Sequence, residues 1–567
     1  MNARDANGGK GPGELTFVAL GGLGEVGMNC YLYGLEEGGR KRYMMVDLGI
    51  TFPEGEFDPG VDVIMPDLRY IQERRRDLAG IVLTHAHEDH IGAMIELWPR
   101  LQAPIYATPF TAAMLKSKLA EFGGRLKMPI TEIPLRGTFD VGPFACEFVN
   151  MAHSIPEPSA LAIRTPHGVV VHTGDWKLDP QPVVGAPADE ARLEDLGAEG
   201  VLALVCDSTN AFRDGRSPSE LEVAQSIAKI IKGAKRRVLV TAFSSNVARI
   251  RAVADAARAS GRTLAVAGRS IHRVIQVAID TGYLPKGFRY VDQQQFRHLA
   301  ADEVVALVTG SQGEPRAALK RIADGAHPDI QLSPGDMVLF SSRTIPGNER
   351  SIATIQNSLA RMGVEIVTDA DALVHVTGHP RREELRQMYG WVRPRIAIPM
   401  HGEVRHLKEH ARIAREMGIG EVVTPINGEM VRIAPGGARL VDEVPVGRLF
   451  RDGRLILPGD GPIVRERRKL AFAGLVAISL VLGRKGELLA DPEVALDGVP
   501  GEDAEGDLME DIVLDAVEGT LSGIPPARRR DPELVREAVR RSARAAVDQV
   551  WGKKPIVKVL VSVVDGR

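Results

Sequence analysis

A chain of 567 residues, 44% hydrophobic and 26% charged, is too long for one ordinary domain and too apolar to be disordered or fibrous, so more than one core is expected. Its formal net charge of −3 excludes bulk attraction to nucleic acid and leaves any phosphate binding to local patches. The three cysteines, Cys30, Cys146 and Cys206, are too far apart for a disulfide framework or a thiolate zinc ribbon, which excludes a stapled secreted scaffold and makes a reducing cytoplasm the simplest home.

Residues 1–14 are polar and glycine-rich without an apolar core, so they read as a disordered lead-in and not a signal peptide. From 15 to 207 short apolar runs such as Tyr43-Met44-Met45-Val46, Ile81-Val82-Leu83 and Val169-Val170-Val171 alternate with Gly-, Pro- and Asp-containing loops. That pattern predicts many strands with few helices. Several runs end in His or Asp, and loops at strand ends are where ligands and catalytic groups usually sit.

The pattern changes between about 217 and 370. Segments 237–242, 247–259 and 263–267 read as strand, helix, strand, and 337–340, 348–361 and 364–367 repeat that order, the signature of βαβ units in a parallel sheet. After 371 the strand-then-histidine style returns in Val374-His375-Val376-Thr377-Gly378-His379 and Ile396-Ala397-Ile398-Pro399-Met400-His401. Residues 217–370 are therefore expected as a domain inserted between the two parts, 15–216 and 371–451, of another. A linker at 452–469 and a small α/β domain at 470–567 follow. In that tail, 470–483 reads as buried strand, too short to span a membrane, 532–551 as helix and 556–564 as strand. The apolar side of the helix, Val535, Val539 and Ala543, suits either an internal core or a dimer contact.

His85-Ala86-His87-Glu88-Asp89-His90 places three imidazoles and two carboxylates in six residues. Such donors suit Zn²⁺ or Mn²⁺, and crowding the charges into a merely solvated loop without a cation would be unfavourable. His153, Asp175 and His401 stand at other strand ends; each alone is a weak signal, and their repeated placement strengthens the set. Two cations a few ångströms apart can deprotonate a bridging water and stabilise charge on an attacked phosphate. The same hardware serves esters, thioesters and lactams, so it points to hydrolysis and leaves the bond open.

The run His85-x-His87-x-Asp89-His90, followed in order by His153, Asp175 and His401, resembles the metallo-β-lactamase fold. The insertion between Asp207 and His379 resembles the β-CASP branch, whose members cut nucleic acids. Gly21-Gly22-Leu23-Gly24-Glu25-Val26-Gly27-Met28-Asn29, Thr309-Gly310-Ser311-Gln312-Gly313-Glu314-Pro315, Ile345-Pro346-Gly347-Asn348-Glu349 and His401-Gly402-Glu403 are similar to bacterial ribonuclease J through nearly the whole chain. The resemblance implies an αββα sandwich with an inserted Rossmann-like β-CASP domain and a small C-terminal α/β domain. It also implies two divalent ions, Zn²⁺ or Mn²⁺, one held by His85, His87 and His153, the other by Asp89, His90 and His401, with Asp175 bridging.

By the same resemblance Asp89, Asp207 and His379 are catalytic: Asp207 orients a metal-bound histidine, and His379 stabilises the transition state or protonates the leaving 3′ oxygen. Ser341, Ser342, Thr377, Gly378 and His379 hold phosphates, and a histidine at His401 goes with RNA substrates. The implied activity is 5′-to-3′ exonuclease action on single-stranded 5′-monophosphate RNA, with some endonuclease activity, in RNA maturation and decay. A cytoplasmic homodimer or higher homo-oligomer, an RNA-decay assembly and no membrane partner are implied as well.

Two positions depart from the family pattern: Thr377 stands where Ser is common, and Arg343 follows the serine pair, as a phosphate contact or as a plain surface arginine. His375 is expected to be structural. The basic clusters at 232–237 and 528–530 are expected to be solvated faces. Two rival readings, another hydrolase on the same metal fold and an inactive RNA-binding scaffold, are opposed respectively by the insertion and by the intact donor set.

Overall fold

The computed structural model describes residues 13–53, 55, 57–124, 126–345 and 347–564; the expected lead-in lies largely outside them. The chain divides into two compact units, one from the N-terminal segment ending at Thr51 together with Ile64–Leu449, the other from Phe52–Val63 with Phe450 onward.

In the first unit an eight-stranded sheet runs in the order Arg439–Glu443, Glu429–Ala434, Leu15–Gly21, Cys30–Glu37, Arg40–Val46, Leu78–Leu83, Ile105–Ala107, Ile130–Glu132. A seven-stranded sheet runs Glu421–Val422, Ile396–Met400, Val201–Asp207, Gly168–His172, Ser159–Thr165, Phe144–Asn150, Thr138–Val141. The alternation of side chains along a strand decides which residues meet. Phe148, Leu161, Val205 and Ile398 join Phe17, Tyr33 and Val82 in the core between the sheets. Their neighbours Val149, Ala160, Leu204 and Ala397 face the other way, onto Leu193 and Leu196 of helix Glu190–Glu199 and Leu385 and Met388 of helix Arg382–Val392.

The expected βαβ region forms a separate six-stranded sheet, Val291–Asp292, Thr263–Ala267, Val304–Val308, Val238–Thr241, Met337–Phe340, Glu365–Val367, in which each neighbouring pair is parallel. Its four inner strands are almost wholly apolar because helices cover them; Leu319 and Ile322 from Ala318–Ala323 and Ile352, Ile355 and Leu359 from Glu349–Arg361 close one face. Residues 374–376, expected as a strand ahead of the loop that carries His379, form none. The Val374 carbonyl is taken by side chains, accepting from Ser341 Oγ at 2.6 Å and Arg249 Nη1 at 2.7 Å, in place of a neighbouring strand.

Parallel pairing brings the chemistry together. Val201–Asp207 lies between Gly168–His172 and Ile396–Met400, both parallel to it, so the loops carrying Asp175, Asp207 and His401 leave one edge of the sheet. In the other sheet Arg40–Val46 runs parallel to Leu78–Leu83 and sets Asp47 beside Thr84, where the histidine-rich loop begins.

The second unit holds the sheet Glu493–Asp497, Leu475–Gly483, Ile556–Val564. Val476, Ile478, Leu480 and Leu482 pack on Val513 and Val517 of helix Met509–Gly523 and on Val535, Val539, Ala543 and Val547 of helix Pro532–Trp551. The apolar side of the last helix is thus internal core, each valine contributing about 1.5–3 kcal/mol on burial. That helix begins where Asp531 accepts from the Glu533 and Leu534 amides with Pro532 in the first turn, and stops at left-handed Gly552. Two expectations change here. The apolar run at 470–483 is split at Gly474, φ +66°, into the end of helix Pro462–Ala473 and strand Leu475–Gly483; a Cβ at Gly474 would sit 2.6 Å from the Asp497 carbonyl oxygen. The stretch read as a linker contains most of that helix. No described helix is long and apolar enough to cross a membrane.

Candidate metal centre

Strand Leu78–Leu83 delivers Thr84 and the His85–His90 loop, which turns into the short helix Glu88–Ile91. The loop is clamped by backbone: the Asn29, Leu48 and Ile50 amides donate to the Asp89, His90 and Glu88 carbonyls at 2.9, 2.7 and 3.0 Å. Gly49 is required by this approach, since a Cβ there would fall 1.6 Å from the Asp89 carbonyl oxygen.

Ligand atoms of His85, His87, His153 and Asp175 lie within 4.8 Å of one another, as do those of Asp89, His90, Asp175 and His401, and those of Asp175, Asp207, His379 and His401. Asp175 belongs to all three sets. Its Oδ2 lies 3.8 Å from His85 Nε2 and 3.7 Å from His153 Nε2, while its Oδ1 lies 3.3 Å from His90 Nε2 and 3.7 Å from His401 Nε2.

Hydrogen bonds behind the imidazoles determine which nitrogen faces inward. Asp47 accepts from the Thr84 amide and hydroxyl, both at 2.8 Å, so Thr84 Oγ1 has spent its proton and accepts from His85 Nδ1 at 3.0 Å. The same carboxylate accepts from His90 Nδ1 at 2.7 Å. His153 Nδ1 donates to the Gly378 carbonyl at 2.5 Å. Thr209 Oγ1 donates to Asp207 Oδ1 at 2.8 Å and therefore accepts from His401 Nδ1 at 2.6 Å. Each of these four imidazoles presents Nε2 to the centre. His87 presents Nδ1, 3.1 Å from Nε2 of both His85 and His153, an arrangement of lone pairs that suits a shared cation.

Electrostatics agree. Burial, with neighbouring imidazoles, holds His85 and His153 well below the ordinary histidine pKa, and burial brings His87 down to about 4. Burial also opposes charge on His90 and His401, but Asp175 with Asp89 and Asp47 at the former, and with Asp207 and Asp89 at the latter, outweighs it and raises both. Asp89, Asp175 and Asp207 are lowered: burial resists, and the surrounding histidines prevail. Asp175 Oδ1 is buried with no hydrogen-bond partner among the described residues. Two buried carboxylates, Asp175 and Asp207, with half-buried Asp89, an orphaned oxygen and inward lone pairs fit divalent cations, which would displace the protons that otherwise balance the charge.

Asp207 Oδ2 accepts from His379 Nδ1 at 2.7 Å, and its Oδ1 reaches His401 through Thr209. Asn210 Nδ2 donates to Thr377 Oγ1 at 2.8 Å and to the His379 carbonyl at 3.3 Å. Gly378 packs so closely on His153 that a Cβ would lie 2.4 Å from its Cε1. Ser341 is turned inward: its Oγ donates to the Val374 carbonyl and accepts from buried Arg249. Ser342 Oγ donates to the Ser311 carbonyl at 3.3 Å. His375 is largely enclosed and its Nδ1 has no partner among the described residues. Glu88 pairs with Lys118, and Arg236 with Asp336.

The sequence motifs assign no role to Asn29, Asp47, Thr84 or Thr209. Asn29 Nδ2 lies 3.0 Å from His90 Nε2. The available signal was an Asp directly after the run Tyr43–Val46 and a Thr on each side of the donor motifs.

Comparison with known proteins agrees with this architecture. Four family models match: the ribonuclease J β-CASP domain at 235–359, the ribonuclease J C-terminal domain at 462–564, a β-lactamase superfamily domain at 57–194 and a Zn-dependent metallo-hydrolase RNA specificity domain at 363–425. A ribonuclease J of Sinorhizobium meliloti is 51% identical, covering 97% of each chain. That of Corynebacterium glutamicum is 38% identical over 96% of this chain and 75% of its own, and that of Thermus thermophilus 35% identical over 97% and 95%. A crystal structure of a protein of unknown function from Enterococcus faecalis V583 shares the fold at TM-score 0.50 and 15% identity, covering 74% of this chain and 100% of its own. With a divalent-metal donor set at the edge of a two-sheet sandwich and relatives matching over almost the full length, the chain belongs to the ribonuclease J family of metal-dependent ribonucleases.

Proposed function

We propose that the chain is a two-ion 5′-to-3′ exoribonuclease acting on single-stranded RNA with a 5′-monophosphate, with some endonuclease activity, in RNA maturation and decay. The observation that carries the two-ion reading is Asp175, whose two oxygens face separate donor sets. His85, His87 and His153 would hold one ion, Asp89, His90 and His401 the other, and Asp175 both; Zn²⁺ fits the imidazole-rich donors and Mn²⁺ the carboxylates. When bound, such ions supply positive charge that acidifies a water and stabilises the attacked phosphate.

The protein's own groups do the rest. Asp207 fixes the Nδ1 proton of His379 and so directs His379 Nε2 away from itself, placed to give a proton to the leaving 3′ oxygen. Through Thr209 the same carboxylate keeps His401 in its ligand tautomer. The Thr377 hydroxyl accepts from Asn210 and from the His379 amide, which leaves its own proton for a phosphate oxygen. The reading extends to a cytoplasmic homo-oligomer engaged with an RNA-decay assembly, as the family resemblance implies. The intact donor set favours an enzyme over an inactive scaffold.

The test is purified protein with Mn²⁺ or Zn²⁺ and matched RNAs bearing 5′-monophosphate or 5′-triphosphate, beside Asp89→Ala and His379→Ala. Mononucleotides released faster from the monophosphate RNA, and lost in both variants, are expected. Internal fragments indifferent to the 5′ end would make it an endonuclease, and binding without cleavage a scaffold.

A further inference from the structure

Helix Pro109–Glu121 carries none of the metal donors, yet it is tied to two of the loops that do and, at both of its ends, to the inserted domain. At its start the Phe110 amide donates to Glu157 Oε2 at 2.6 Å. Tyr283 of the inserted domain donates its hydroxyl proton to Glu157 Oε1 at 2.8 Å, and its ring stands edge-on to that of Phe110 with centroids 5.8 Å apart. Burial and the Glu157 charge raise the Tyr283 pKa, so the tyrosine keeps the proton it donates. At the far end Glu121 takes the guanidinium of Arg273, from helix Arg269–Asp280, in a paired contact: Nε at 2.8 Å and Nη2 at 2.6 Å. One turn earlier Lys118 pairs with Glu88, the residue next to Asp89.

Glu157 is the joint between this helix and His153. The loop that holds both is short, closed by the Met151 amide on the Pro158 carbonyl at 3.0 Å. Within it Glu157 stands at φ +60° between Pro156 and Pro158. Proline fixes its own φ, and a residue other than glycine keeps a left-handed backbone only where its surroundings require it. Here the requirement is the buried carboxylate, each oxygen of which is matched to one donor, so that moving either donor leaves a buried acceptor unsatisfied. His153 is anchored on its other sides by the Lys177 amide, which donates to the Ala152 carbonyl at 2.8 Å, and by the Gly378 carbonyl. Glu157 sets the remaining side, with little slack between its carboxylate and the imidazole.

We propose that Tyr283 and Arg273 of the inserted domain are positioning residues for the metal centre: by seating helix Pro109–Glu121 they fix Glu157 and Lys118, and through these the loops of His153 and Asp89. The site then reaches its full metal affinity only with the inserted domain docked on this helix. This rests on the donor assignment proposed above. Neither residue touches a donor, so both act through the carboxylates they hold.

Tyr283→Phe keeps the ring against Phe110 and removes only the donor, and Arg273→Gln removes the paired contact, so the fold has little reason to fail in either. These two full-length variants, their double, and His153→Ala as reference are titrated with Zn²⁺ against a chromophoric chelator, and kcat and KM for RNA are measured beside melting. Losing a hydrogen-bond partner of a liganding group weakens metal affinity about 10–100-fold; one contact farther out, the double variant should lose about fivefold or more. Its kcat should fall by a like factor with KM within twofold, and excess Zn²⁺ should restore kcat. Zinc affinity within twofold of wild type in the double variant, beside a loss of tenfold or more in His153→Ala, would overturn the proposal. So would a change confined to KM and melting temperature, the result expected of a contact that only docks the domain. If His153→Ala binds zinc as the wild type does, the donor assignment falls and the positioning role with it.

Discussion

Asp47→Asn tests whether the hydrogen bonds behind the histidines set the affinity for metal. Asp47 is fully buried and accepts three hydrogen bonds, from the Thr84 amide, the Thr84 hydroxyl and His90 Nδ1, at 2.8, 2.8 and 2.7 Å. An amide of the same shape has only one accepting oxygen. In the better of its two orientations that oxygen keeps Thr84 Oγ1 and His90, and the NH₂ is pressed against the Thr84 amide, which leaves a buried donor unmatched at about 1–3 kcal/mol. The charge that fixed the His90 tautomer is lost as well, and removing such a partner typically lowers metal affinity 10–100-fold, or about 1.4–2.7 kcal/mol. The assay is competition for Zn²⁺ with a chromophoric chelator, alongside thermal melting in excess chelator. A 10–100-fold weaker site in a protein that still melts cooperatively is expected. Affinity within twofold of wild type, with only the melting temperature lowered, would show that Asp47 holds the fold and not the tautomer.

Further outcomes follow from single contacts. Gly378→Ala should displace His153, because the new Cβ would lie 2.4 Å from its ring; metal retained after gel filtration, and cleavage with it, should fall at least tenfold. Arg249→Met leaves the buried Glu220 carboxylate, which it meets at 2.8 Å, with only Lys177 at 3.6 Å among the described residues, so chemical denaturation should show a loss of about 3 kcal/mol, partly recovered by adding Glu220→Leu. His410, buried between Ser208 Oγ and Tyr389 OH at 2.8 and 2.9 Å, has its pKa lowered by burial to about 4. The unfolded chain therefore binds the extra proton between pH 6.5 and about 4: stability is complete above 6.5 and falls on acidification, by up to roughly 3 kcal/mol. Melting of His410→Asn and wild type from pH 8 to 4 should show a shallower acid limb in the variant.

What the sequence by itself determined was local. The donors His85, His87, Asp89 and His90 share one loop, the βαβ order of residues 238–267 shows in short apolar runs, and helix Pro532–Trp551 carries its own start and stop in Asp531, Pro532 and Gly552. Such signals need only a window of a few residues, because periodicity and capping are properties of neighbouring positions. The tertiary structure alone decided which residues lie behind the donors. Asp47 meets Thr84 and His90 only because two strands run parallel in one register, and Thr209 links Asp207 to His401 across 192 positions of chain. It turned Ser341 inward and kept 374–376 from becoming a strand. Those outcomes depend on which distant groups compete for each donor and acceptor, and burial, which makes an unmatched group costly, is settled only when the sheets pack.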